Sequence, residues 1–179
     1  MKRSVYLYMK DYNQLIVDTF SSSNNQFTRF EKKDKLIVFE EEVIEDFDYE
    51  VIKDLLEVDF KEKLTLVVGG DFEIVNKYIK DIPNDVYYLD DFFVHLISIN
   101  KGKDLFTWLN SFDSELIYTV NKFIENDLSV NKTASTLYIH RNTLNYRLDK
   151  FNKLSGLNIR SFKGSLAVYL ILNFVQTAN

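Results

Sequence analysis

The chain has 179 residues, 46% hydrophobic and 27% charged, which supplies enough apolar surface for a packed core and excludes widespread disorder. It holds no cysteine, which removes disulfides, thiolate metal sites and cysteine nucleophiles and fits a reducing cytoplasm. The net charge of −5 is unevenly spread: residues 1–113 carry 14 Lys and Arg against 23 Asp and Glu, residues 114–179 carry 8 against 4, so an acidic module precedes a basic one.

At the start of the chain, Lys2 and Arg3 precede an apolar run over 5–9, which Lys10 and Asp11 close before a signal-peptide core could form. This run and those at 35–39 and 64–68 have the β-branched or aromatic content of strands. Between them lie helical stripes: Leu15, Ile16 and Phe20, then Val51, Ile52, Leu55 and Leu56, then Phe72, Val75 and Ile79. The Ser-Ser-Ser-Asn-Asn run at 21–25 reads as a loop, the acidic cluster at 40–42 as a solvated strand end, and Pro83 as the stop of the third helix. Gly69-Gly70-Asp71 resembles part of the Gly-Gly-Asp-Glu-Phe loop of diguanylate cyclases, but Phe72 stands where the Glu belongs. A strand end, a Gly-Gly turn and Asp71 capping a helix account for the same letters. Residues 90–110 read as helical and join the two modules without a flexible linker. There, Asp90 and Asp91 are helix-start acids favoured by the helix dipole, and His95 is a hydrogen-bonded packing residue with no second histidine to build a metal site.

From Ser114, read as an N-cap, the pattern is helical throughout. Leu116, Val120, Phe123 and Ile124 mark one buried face. A short helix over 130–137 carries Val130, Ala134 and Leu137 on one side, and Tyr138-Ile139-His140 turns into a longer helix from Arg141 to about Leu154. Leu144, Leu148 and Phe151 face inward, and Gly156 ends the helix; a last amphipathic helix covers 165–175. The apolar stretch 166–175 is far shorter than the ~18 residues of a membrane span, and Asn173 interrupts it.

Two helices joined by a three-residue turn, with the small Ala134 at their crossing, satisfy a helix-turn-helix. The second helix then projects Arg141, Asn142, Asn145, Tyr146 and Asp149, with polar groups gathered at its N-terminus, where base edges are contacted. Arg pairs with guanine and Asn with adenine, while Thr143, Tyr146 and the amides near both helix starts reach phosphates. His140 is read both as a cap and as a phosphate contact. Asp149, repelled by DNA, is placed at the interface edge.

The string from Asn131 through Thr133-Ala134, Leu137 and His140-Arg-Asn-Thr-Leu144 to Tyr146-Arg147-Leu148, followed by Leu154-Ser-Gly156, closely resembles the C-terminal domain of the PucR/CdaR family of bacterial regulators, whose helix-turn-helix is similar to that of Fis. The resemblance covers about 60 residues. It implies a transcriptional regulator, typically ligand-responsive and often an activator of catabolic operons. Where Fis-like motifs commonly place glycine in the turn, this chain has Tyr138, so a left-handed backbone there would be strained.

The fold expected is therefore α+β: a mixed α/β sensory or assembly module over 1–110, then an all-α DNA-binding domain over 111–179. The functional expectation is a cytoplasmic, non-enzymatic, sequence-specific regulator without cofactor or metal. Its contacts are Lys132, Thr133, His140, Arg141, Asn142, Thr143, Asn145 and Tyr146, and its partners are double-stranded DNA, a second copy of itself and a small-molecule effector, with no membrane. One symmetric copy extends a short motif's reach, and Leu166, Tyr169, Leu170 and Phe174 offer an apolar stripe for it. The rival readings are an assembly module without DNA binding and a degenerate, non-catalytic cyclase-like protein.

Overall fold

The structure, a computed structural model, describes residues 2–43 and 46–177, and side-chain surroundings as far as Asn173. The chain divides into two compact units, Met1–Leu89 and Asp90–Asn179. The fold is α+β, with a mixed sheet in unit 1 and helices throughout unit 2.

Unit 1 is a five-stranded sheet in the order β2-β3-β1-β4-β5, built from β1 (Lys2–Met9), β2 (Phe27–Lys33), β3 (Leu36–Glu42), β4 (Leu64–Val68) and β5 (Val86–Tyr88). β1 runs antiparallel to β3 and β4, β2 pairs antiparallel with β3, and β4 pairs parallel with β5. Alternation along β1 sends Val5, Leu7 and Met9 into one core with Ile16, Val17 and Phe20 of α1 (Gln14–Ser23) and Tyr49 and Leu56 of α2 (Tyr49–Phe60). On the opposite face, the Tyr6 ring meets Phe72 of α3 (Phe72–Tyr78) and its hydroxyl donates to the Gly70 carbonyl at 2.9 Å.

Three expectations change here. The serines at 21–23 form the last turn of α1, because Ser22 and Ser23 turn their hydroxyls back onto the carbonyls of Asp18 and Phe20. β2 and β5 were not foreseen: β2 is an exposed edge strand of mostly charged residues and β5 has three residues, so neither carries an apolar alternation. The acidic cluster is not uniformly solvated. Glu41 is 1% exposed, taking hydrogen bonds from Arg3, which faces it across the β1–β3 ladder, and from Tyr49 and Asn24. Burial, then the hydrogen bond to Glu41, hold the Tyr49 hydroxyl far above its usual range.

The Gly-Gly-Asp motif is a helix start. β4 ends at Val68, Gly69 and Gly70 take φ of 91° and 102°, and the Asp71 carboxylate accepts from the amides of Glu73 and Ile74. A short 3-10 turn, Ile79–Asp81, follows α3 before Pro83.

Unit 2 contains α4 (Leu89–Ser98, which straddles the boundary), α5 (Gly102–Leu109), α6 (Ser114–Glu125), α7 (Val130–Thr136), α8 (Arg141–Ser155) and α9 (Phe162–Thr177). The division lies at 89/90 instead of 110/111, because the face of α5 carrying Leu105 and Leu109 is buried and α5 packs on α9. An aromatic chain extends the same scaffold: Phe93 to Trp108 at 5.0 Å, Trp108 to Phe112 at 5.1 Å, and Phe112 to Phe151 of α8 at 6.2 Å. At the start of α4, Asp91 pairs with Lys163 of α9 at 2.8 Å. Among the described residues no cluster of three or more metal-ligating side chains occurs, and no helix is long and apolar enough to cross a membrane.

Candidate nucleic-acid interface

Asp113, one residue before the expected cap, closes the N-terminus of α6 by accepting from the Leu116 amide at 3.0 Å. α6 buries Leu116, Thr119, Val120 and Phe123, leaving Ile124 half-buried. Ser129 caps the start of α7, its hydroxyl accepting from the Lys132 amide, and Leu137 caps its end. Tyr138 then adopts φ 54°, the left-handed conformation, with its ring 95% exposed. The turn keeps the geometry that glycine would favour, at a strain of about 1 kcal/mol or more for a residue with Cβ. His140 caps α8: Nδ1 accepts from the Asn142 amide at 3.2 Å.

α8 is held from within by Leu144, Leu148 and Phe151, all fully buried, and is stopped by Gly156 at φ 76°. Arg147 adds a polar clamp, donating to Glu115 at 2.6 Å and to the Thr119 hydroxyl at 3.2 Å, and so ties α8 to α6. The side turned to solvent carries Arg141, Asn142, Tyr146 and Asp149 exposed and Asn145 half-buried, as helical periodicity leads one to expect, and Thr143 is exposed as well. Lys132 is also exposed, in an ion pair with Asp127 at 3.1 Å.

Thr133 does not belong to this surface. It is fully buried beside Ala134, and its side chain cannot reach a phosphate; a position on the inner side of a two-turn helix overrides its polar character. Sequence reasoning also left Arg160 without a role. Its guanidinium meets Asp149 at 2.6 Å and the Asn145 side-chain oxygen at 3.2 Å. A lone carboxylate on an otherwise basic face was the available signal that a cation must stand opposite.

This arrangement offers planar and amide donors, hydroxyls and cations on one side of a rigid helix, the groups that pair with base edges and phosphates. Residues 116–174 match the PucR C-terminal helix-turn-helix domain. Over 59 residues, 33% of this chain and 20% of the relative, the sequence is 51% identical to the uncharacterized protein YxkF of Bacillus subtilis (strain 168). Over 57 residues, 32% of this chain and 14% of the relative, it is 35% identical to the DNA-binding transcriptional activator AdeR of the same organism. The matched segments thus span a fifth or less of these relatives. A likeness of fold extends further: the regulator of polyketide synthase expression from Bifidobacterium adolescentis aligns with 99% of this chain and 81% of its own, at TM-score 0.50 and 12% identity.

Proposed function

We propose that the chain is a sequence-specific, DNA-binding transcriptional regulator of the PucR type, with α8 reading the major groove of double-stranded DNA. The observation that carries this is the outward row Arg141, Asn142, Thr143, Asn145 and Tyr146 on a helix anchored from the opposite side by the fully buried Leu144, Leu148 and Phe151. Arg141 and Asn145 are the base readers; Thr143, Tyr146, His140 and Lys132 hold the phosphate backbone, where Lys132 exchanges its exposed ion pair with Asp127 for a phosphate at little cost. The protein is read as non-enzymatic, because Asp71 of the one cyclase-like motif is spent on capping α3 and Phe72 follows it. A small-molecule effector would act through unit 1, whose 12 Lys and Arg against 19 Asp and Glu keep it off the duplex.

Homodimerisation is part of the proposal, since one short motif reads few base pairs and two copies with half-sites ~34–36 Å apart read an inverted repeat. Its support is the outer stripe of α9, where Phe162 is 76% and Tyr169 49% exposed beside half-buried Leu166 and Leu170; Phe174 lies outside the residues whose side chains are described. Gel-shift titration of the full chain against genomic fragments over a salt series tests the reading. Salt-sensitive binding is expected, with Arg141→Ala or Asn145→Ala weakening the specific site by ~1–3 kcal/mol and Lys132→Ala weakening all duplexes alike. Absence of salt-sensitive binding to any duplex refutes it.

A further inference from the structure

Asn145 and Asp149 stand one turn apart on α8, and a single cation serves both. Arg160 donates from Nη1 to Asp149 Oδ1 at 2.6 Å and from Nη2 to Asn145 Oδ1 at 3.2 Å, with the Asn145 carbonyl at 3.5 Å from the same nitrogen. The turn that delivers Arg160 is firmly built. Leu157 and Ile159 are buried, the Ile159 amide donates to Asn152 Oδ1 at 2.9 Å, and the Arg160 amide donates to Asn158 Oδ1 at 3.1 Å. Gly164 of α9 lies so close behind it that an added Cβ would stand 2.2 Å from the Asn158 carbonyl oxygen.

A guanidinium has donors and no acceptor, so the end of the Asn145 amide turned toward Arg160 is its oxygen. Reading adenine requires that oxygen for the N6 amino group while the nitrogen meets N7. With Oδ1 drawn back to Arg160, the amide meets the groove as a donor and fits the acceptor edge of guanine, O6 and N7. Asp149 then anchors Arg160, and its charge, which would repel the duplex, is neutralised in place.

We propose that Arg160 is a positioning residue that sets the base read by Asn145: held by Arg160, Asn145 donates to guanine; released, it pairs with adenine. This rests on the DNA-reading role proposed above. Duplexes selected from a randomised pool by the full chain, and sequenced, test it for the wild type, Asn145→Ala, Arg160→Ala and Arg160→Lys. Asn145→Ala marks the position concerned by flattening its preference. There the wild type is expected to favour guanine over adenine by about tenfold, and both Arg160 variants to shift toward adenine by a similar factor with flanking positions unchanged. Arg160→Lys keeps a cation beside Asp149 but cannot fork to both partners, and covers the case in which circular dichroism shows Arg160→Ala unfolded. A wild-type preference for adenine at that position, or an unchanged preference in the folded Arg160 variants, overturns the positioning role while leaving DNA reading intact. A wild type that selects no sequence overturns both.

Discussion

In unit 1 charged groups turn inward. Among the described residues the buried charged side chains, Glu41 and Lys53, both lie there, Glu41 against Arg3, Tyr49 and Asn24 and Lys53 against Glu57 at 3.2 Å. In unit 2 the helices bury mainly leucine, valine and phenylalanine, and the charged groups of α8 stay outside, with Arg147 paired to Glu115 and Asp149 to Arg160. Buried charge is costly and tolerates no lost partner, whereas an apolar interior leaves the surface free to be chosen for what it touches. Unit 1 thus adds to its apolar core a few charged contacts that cannot be exchanged, whereas unit 2 buries no charge among the described residues and leaves the charged side of α8 exposed.

The largest effect that should separate the two is Glu41→Ala. It removes the shared acceptor of Arg3, Tyr49 and Asn24 and is expected to cost about 3 kcal/mol. Calorimetry should show the unit 1 transition fall while unit 2 melts as before; a joint shift would mean that the units unfold as one block. Gly164→Ala strikes unit 2 through its packing, since the added methyl meets the Asn158 carbonyl at 2.2 Å, and roughly 2 kcal/mol should be lost there. Unit 1 should be unaffected, and an unchanged unit 2 would show that the start of α9 yields freely. The smallest effect is a gain. Tyr138→Gly relieves a left-handed backbone at φ 54° and removes a ring that is 95% exposed, so the unit 2 transition should rise by about 1 kcal/mol. A fall would show that the ring packs in solution.

Much of the site was legible before any coordinates. Leu144, Leu148 and Phe151 declare the inner side of α8 by spacing alone, and removing them leaves the outer row that the structure exposes. Thr133 failed because its hydroxyl suggested a contact, although it stands three residues after Val130 and four before Leu137, on the side of α7 that also buries Ala134. In unit 1 the strands with apolar runs were legible, whereas β2 and β5 form because a neighbouring strand offers them an edge.

Local signals along the chain suffice for the helices of the helix-turn-helix region, their stops at Leu137 and Gly156, the Asp71 cap and the opposed charge of the two parts, because periodicity, caps and composition act within a few residues of chain. The folded chain settles that α4 and α5 belong with the helices that follow, that Glu41 is buried, that Arg147 ties α8 to α6, and that Arg160 grips α8 from the turn after it. Those outcomes join groups as much as 72 residues apart, and their pairing depends on which surfaces the folded chain brings together.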